Sequence, residues 1–286
     1  MTSENRKYYK YRPLRQDGDA HPFTASIFEK RELWFSSPAD FNDPFDCNLR
    51  LHVDDSTDDE WIAYIDLMMK ESPEDRASLE IVKKGKLWRS SPEMTRGIGD
   101  STQKLNYNDS SVFCLAKTAE SIPMFSYYAD SHKGVAIEFS FSNRNVPCGL
   151  NYLDTIASSG ADRSGVVFSD VLYPNEYPEL NYHRLYGSDQ LLKNIIFTKH
   201  YEWRHEREYR IFRRNIRASS VVFDPEILTG VVFGCKAEDS EIELVRGWLA
   251  EWPTPVALSR SKVSSKSFTL ESEVFDQVGG SSDLRA

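Results

Sequence analysis

The chain has 286 residues, 40% of them hydrophobic, with 16 Phe, 14 Tyr and 6 Trp; a chain so rich in large apolar side chains buries a sizeable core, which excludes disorder over most of its length. Its net charge of −9, from 35 basic and 44 acidic residues, is poorly suited to non-specific nucleic-acid binding, which relies on neutralising phosphates. No apolar run approaches the roughly 20 residues of a membrane helix, and the start MTSENRKYYKYR lacks the apolar stretch of a secretory signal, so the expected location is cytoplasmic.

In chain order, Tyr8 to Arg12 reads as a short aromatic strand, Phe23 to Lys30 as one or two helical turns, and Glu32 to Ser36 as a second strand. Asn42-Asp43-Pro44 is turn chemistry, because Asx side chains bond nearby backbone and proline bars helical geometry before it. Thr57 to Lys70 has a Thr cap, acidic residues in its first turn, and apolar Trp61, Ile62, Ile65 and Met68 at helical spacing; it is predicted as a helix. A second helix is expected from Pro73 to Trp88, and the stretch 90–108 is polar without a clear period. Strands follow at Val112 to Ala116 and Gly134 to Phe139, with a short helix from Pro123 to Ala129 between them.

The stretch 143–163 has the look of an insertion loop. Gly165 to Tyr173 reads as a strand, Ser188 to Phe197 as a helix, Glu208 to Arg213 and Thr229 to Gly234 as strands, Ser240 to Ala250 as a helix, and Pro255 to Leu270 as a closing strand pair. The tail 271–286, with Gly279-Gly280-Ser281-Ser282, reads as loose. Strands and helices do not alternate strictly, so the fold class is α+β: a single mixed domain over 1–270 around a central, mostly antiparallel sheet. Cys47, Cys114, Cys148 and Cys235 are scattered; none has zinc-like spacing, and buried or inert thiols are expected.

Four segments combine polar groups with rigid aromatic or apolar neighbours. In the strand Tyr8-Tyr9-Lys10-Tyr11-Arg12, alternation lets Lys10 and Arg12 point together, with Tyr9 and Tyr11 opposite. Such a cation pair suits phosphates or a carboxylate; an ordinary solvent-facing edge strand has the same pattern. The second segment ends a strand on Ser36 and Ser37 and continues into Asn42, Asp43 and Asp46, which serve a turn as readily as a ligand. The third packs Tyr128, Asp130 and His132 around a helix–turn–strand junction before Gly134, with Tyr128 and His132 as binding contacts. In the fourth, Trp203 to Phe212, an extended chain would place Glu206, Glu208 and Arg210 on one face. A cross-strand ladder of salt bridges explains those charges equally well. This last segment lies in the basic stretch Lys199 to Arg217, where an anionic ligand would meet a positive field.

Taken together, YKYR (9–12), LWFSSPADFNDPFDC (33–47), MFSYYADSHKGVAIEF (124–139) and WRHEREYRIF (203–212) resemble the bacterial domain of unknown function 2971 family, over about 8–237. One departure is Phe125-Ser126-Tyr127, where the family pattern has Trp-Ser-His, so any role for a histidine at 127 is lost here. A weaker likeness is to ADP-ribosyltransferases of the Arg–Ser–Glu kind, matched by Arg12, Ser36 and the pair Glu206-x-Glu208. That likeness implies NAD as substrate, in a defence or toxin setting, with Glu208 stabilising an oxocarbenium-like centre. It further implies Arg12 on a phosphate or ribose, Ser36 or Ser37 on the nicotinamide ribose, Glu206 at the acceptor, and Tyr128 or Trp203 stacked on a ring.

Lys10, Ser37, Asn42, Asp43, Tyr128, His132, Trp203 and Arg210 complete the candidate binding set. No glycine-rich Rossmann fingerprint is present, so an NAD site would be of another type. Two alternatives stay open. One is a binding or sensing module with the same pocket and no turnover. The other is a metal-dependent hydrolase or nuclease using Asp43, Asp46, Glu206, Glu208 and His132, although the spacing marks no metal site. The expected partner is NAD or another small nucleotide; nucleic acid enters only as a modified target.

Overall fold

The computed structural model describes residues 5–49, 51–53, 55–90, 109–142, 146–147, 165–178, 180–185 and 189–280. Nearly all of the polar stretch 90–108 and of the insertion-like stretch 143–163, together with Cys148 and the last six residues, lies outside that description. The strands are β1 (Arg6–Arg12), β2 (Arg15–Gln16), β3 (Asp19–Ala20), β4 (Glu32–Phe35), β5 (Ser111–Ala116), β6 (Val135–Phe141), β7 (Gly165–Asp170), β8 (Glu208–Arg214), β9 (Ser219–Val222), β10 (Leu228–Phe233), β11 (Val256–Val263) and β12 (Leu270–Val278). The helices are α1 (Pro22–Glu29), α2 (Asp58–Glu71), α3 (Arg76–Gly85), α4 (Ile122–Tyr128), α5 (Tyr182–Leu185), α6 (Asp189–Ile196) and α7 (Asp239–Leu249).

The fold is α+β. Eight strands form one sheet in the order β12-β11-β10-β6-β1-β5-β8-β7, antiparallel except for β10 and β11, which are parallel. Parallel neighbours need a crossover, and α7 supplies it. One face of the sheet buries Tyr8, Phe113, Ile137, Phe139, Ile211, Val231 and Phe233 against Ile27 and Phe28 of α1 and Ile242, Val245 and Leu249 of α7. The other face sets Tyr11, Ala116, Ala136 and Val232 against Met124 and Phe125 of α4. Each buried aromatic or aliphatic side chain of this kind contributes about 2 kcal/mol by leaving water.

The described residues fall into two compact units. The first comprises residues 1–36, 111–171 and 202–286 and holds every strand; the second comprises 37–110 and 172–201. In the second unit Thr57 and Glu60 close a capping box on α2, as the Thr-x-x-Glu spacing requires. Trp61 of α2 stacks on Trp88 at 5.6 Å, and His183 of α5 meets the Trp61 ring edge-on at 4.0 Å. Asp46 and Lys199 form a buried ion pair at 3.2 Å.

Three regions differ from the sequence reading. Leu270–Val278 is a strand at the sheet edge, paired over its whole length with β11, where a loose tail from 271 was expected. Its outward side chains are mostly charged or small, so the usual apolar alternation is missing. Second, β9, unread in the sequence, pairs with β4 in a separate two-stranded sheet. Third, the stretch Tyr201–Glu206 is a 3-10 helix, and Arg207 follows with a positive φ of 46°. The extended alternation therefore begins only at Glu208, and Glu206 does not share a strand face with Glu208 and Arg210.

Candidate functional site

The first unit contains a cleft of about 690 Å³ at the C-terminal end of β1, lined by Lys10, Tyr11, Arg12, Arg15, Asp17, His21, Tyr127, Tyr128 and Asp130, among others. Its walls come from three local devices. β1 carries Lys10 and Arg12 in register with Ile137 and Val135 of β6, so both cations are on the same strand face. β2 and β3 form a hairpin around Asp17 and Gly18, whose φ values of 55° and 92° are those of a tight two-residue loop. α4, started by Pro123 and capped by the Ser121 hydroxyl on the Met124 amide, delivers Tyr127 and Tyr128.

Beyond α4 the chain reverses through Asp130, Ser131 and His132, with φ values of 44°, 52° and 73°. Left-handed backbone costs a non-glycine residue roughly 1–2 kcal/mol, so three in succession persist only where the surroundings hold them. Several bonds do so. His132 Nε2 is 2.9 Å from the Ser126 hydroxyl, its ring stacks on Phe125 at 5.8 Å, and its carbonyl accepts from the Lys236 amide at 3.0 Å. Gly134 closes the turn. A Cβ there would stand 2.2 Å from the Arg12 carbonyl oxygen, and one at Gly234 would stand 2.1 Å from the His132 carbonyl oxygen. Thus the ADSHKG text encodes a backbone lock that fixes Asp130 at the cleft and the end of β1 beside it. His132 is a member of that lock and does not line the cleft.

The cleft holds three cations, Lys10, Arg12 and Arg15, and two carboxylates, Asp17 and Asp130. Lys10 Nζ donates to the Cys114 carbonyl at 2.9 Å and lies over the Phe113 ring at 4.9 Å; among the described residues no carboxylate is in ion-pair contact with it. Burial, reinforced by the Arg12 guanidinium, lowers its pKa to about 8, while Glu208 and Glu206 act in the opposite direction. Arg12 has a buried Nε with no hydrogen-bond partner, its guanidinium faces the Phe23 ring at 5.9 Å, and burial lowers its pKa. Arg15 donates to the Gly18 carbonyl at 3.4 Å. Burial and then Arg12 lower the pKa of His21. Arginine and lysine side chains that make no ion pair with the carboxylates lining the same cleft, among the described residues, make a site for an anion.

Beside the cations are two buried carboxylates. Tyr128 Oη donates to Glu206 Oε1 at 2.7 Å, which ties a cleft-lining ring to the turn before β8. Glu208 opens β8 opposite Ala116, and Arg210 stands opposite Cys114. Fully buried Arg210 gives Glu208 Oε2 two bonds, from Nη2 at 2.7 Å and Nε at 3.1 Å. The Cys114 thiol, buried and facing Glu208, is pushed well above its usual pKa, which makes it inert.

Among the candidates read from sequence, Lys10, Arg12 and Tyr128 therefore meet in one cleft, with Glu206 bonded to Tyr128, and Glu208 and Arg210 close enough to β1 for Glu208 to act on Lys10. Ser36 does not line the cleft; its backbone forms a bridge with Val112 of β5. Trp203 lies in the 3-10 helix, with its ring 6.0 Å from that of His205. Ser37, Asn42 and Asp43 belong to the second unit. There the Ser37 hydroxyl caps the turn 38–40 by accepting from Ala39, Asn42 is exposed, and buried Asp43 accepts from the Phe45 amide at 2.9 Å, an Asx turn. Arg15, Asp17 and His21 were missed, although the Asp-Gly dipeptide announces their hairpin. Among the described residues no three His, Cys, Asp or Glu side chains gather as metal ligands, and no helix is long and apolar enough to cross a membrane.

No curated protein and no solved structure matches the chain. A family model described as "Protein of unknown function (DUF2971)" matches residues 124–211, the span from α4 and its left-handed turn to Ile211 of β8. β1 and the LWFSSPADFNDPFDC segment precede that span. Over 124–211, carrying both MFSYYADSHKGVAIEF and WRHEREYRI, the chain matches the domain of unknown function 2971 family.

Proposed function

We propose that the cleft at the end of β1 binds a small phosphate-bearing ligand of the nucleotide type, NAD among them. The observation that carries this reading is Arg12: a cation lining the cleft whose Nε is buried and unpartnered, beside Lys10 and Arg15. A buried guanidinium N–H without an acceptor is costly, and a phosphate that accepts from it removes the cost. Tyr127 and Tyr128 supply ring faces for a base or nicotinamide. The test is calorimetric titration of NAD and ADP-ribose into wild type and Arg12→Ala. Binding by wild type that weakens at least about tenfold in the variant supports the reading; no binding by wild type at millimolar ligand contradicts it.

A second reading, cleavage of the nicotinamide–ribose bond, is favoured by the two buried carboxylates next to the cations. Breaking that bond develops positive charge on the ribose, which a carboxylate stabilises. Glu206, one hydrogen bond from the cleft-lining Tyr128, is better placed for this than Glu208, whose Oε2 already receives two Arg210 bonds. Nicotinamide release by wild type, reduced on the order of 10²-fold in Glu206→Gln, is the expected result. NAD bound without release leaves a binding or sensing module.

A further inference from the structure

We infer that Lys10 is a nucleophilic amine that forms an imine with the aldehyde of a phosphate-bearing ligand held by Arg12 and Arg15. This rests on the phosphate-binding reading of the same cleft and adds a reactive group and a ligand class to it, a phosphorylated aldehyde such as an open-chain sugar phosphate.

Lysines are activated in two ways, by desolvation in an apolar setting and by a neighbouring cation, and Lys10 has both. Its Nζ lies over the Phe113 ring and bonds a neutral carbonyl, that of Cys114, and Arg12 stands two residues along the same strand face. The charged and titratable groups that act on it are Arg12, Cys114, Glu208 and Glu206. The thiol of Cys114 is held neutral, and the carboxylate of Glu208 is engaged by Arg210, so neither pins the ammonium as an ordinary ion pair would. With its pKa near 8, about one Lys10 amine in ten is neutral at pH 7, compared with about one in several thousand for an ordinary lysine.

The step balances without an oxidant or reductant. The Nζ lone pair attacks the carbonyl carbon, a C=N bond replaces C=O, and the two N–H protons of the neutral amine leave with the carbonyl oxygen as water. Anchoring the phosphate on Arg12 and Arg15 makes the attack effectively intramolecular, which accounts for selection of a phosphorylated aldehyde over a plain one.

Pyridoxal 5′-phosphate serves as the probe, with pyridoxal as the aldehyde lacking phosphate, followed by borohydride reduction and peptide mass mapping. The expected result is an adduct on Lys10 whose formation rises with pH to a plateau above about 8. It should be protected by inorganic pyrophosphate, absent in Lys10→Arg, and at least about tenfold slower with pyridoxal or in Arg12→Ala. Adducts spread over surface lysines with Lys10 unmodified, while pyrophosphate still binds by calorimetry, overturn the imine and leave the binding reading standing. No binding of pyrophosphate or NAD, and no Lys10 adduct, overturns both.

Discussion

Two clefts in the strand-bearing unit each present three cations, and they differ in what faces those cations. At the end of β1 stand Lys10, Arg12 and Arg15, whose side-chain hydrogen bonds, where made, go to backbone carbonyls. Between α7, β11 and β12, a cleft of about 520 Å³ is lined by Arg246, Arg260 and Lys262. There Arg246 bonds Glu243 and Asp276, both at 2.6 Å, Arg260 meets Asp239 at 3.4 Å, and Lys262 meets Glu273. Arg246 and Arg260 share with Arg12 a buried Nε without a partner among the described residues, yet each also holds a carboxylate, as Lys262 does, so the second cleft is neutralised by its own ion pairs and is a surface network. The lesson is that a run of Lys and Arg marks an anion site only where the fold withholds their partners. The acidic net charge of the whole chain says nothing about either cleft.

The largest effect that would break this comparison comes from the backbone lock. Gly134→Ala drives a Cβ into the Arg12 carbonyl, with no flexible side chain there to yield. A loss on the order of 3 kcal/mol in chemical denaturation is expected, as for severe overpacking, together with loss of anion binding. Gly247→Ala in α7, where a Cβ meets nothing within 4 Å, should instead stabilise by about 0.5–1 kcal/mol, as alanine does in a helix. Equal effects at the two glycines would show that the turn is not clamped as described.

The left-handed turn was the least legible part of the sequence, and the reason is physical. Asp130, Ser131 and His132 adopt backbone angles that local propensity disfavours, imposed by Gly134, Gly234 and Lys236, of which the latter two lie about a hundred residues away. β1, β6 and β8 were readable because polar and apolar positions alternate along part of each, and β5 because SVFCLA is a short apolar run. So was α2, because Thr57 and Glu60 write their capping box into the text. β12 was not, since a mostly exposed edge strand needs little apolar pattern. For the site, the sequence named Lys10, Arg12, Tyr128 and Glu206 without their contacts. It suggested a ligand role for His132, whose ring hydrogen-bonds Ser126; it read Asp43 as turn chemistry, which the bond from the Phe45 amide bears out, but it did not read the cap made by Ser37. Arg15 and His21 enter the cleft only because the Asp17–Gly18 hairpin returns the chain to it.

A smaller effect separates the clefts by single cations. Arg15→Ala should weaken pyrophosphate binding by roughly tenfold, the value of one charge-assisted contact, whereas Lys262→Ala should leave it within twofold, about the scatter of such titrations. Both follow from one calorimetric series.

A further difference is a pH dependence. Lys10 has a folded-state pKa lowered from 10.5 to about 8, so between those values the unfolded chain binds more protons than the folded one. Stability referenced to Lys10→Met should therefore rise from pH 8 to 10.5 and be flat below 8. A difference that stays flat through that window and falls only above about 10.5 would mean that Lys10 holds its charge against an anionic partner. In the second unit, burial among aromatic rings lowers His183 to about 4. Its contribution is present above the unfolded value near 6.5 and is lost as the pH falls through 4, so His183→Phe should unfold at lower pH than wild type, by circular dichroism.

Arg12 has no carboxylate in ion-pair contact among the described residues and is left for a ligand, whereas Arg260 meets Asp239. The most direct test of this difference is titration of inorganic pyrophosphate into wild type, Arg12→Ala and Arg260→Ala at low and moderate salt, with the melting temperature of each measured alongside. The account predicts binding by wild type and Arg260→Ala, and loss of at least about tenfold in affinity for Arg12→Ala with its fold intact. Equal affinity in wild type and Arg12→Ala, or loss in Arg260→Ala instead, would contradict it.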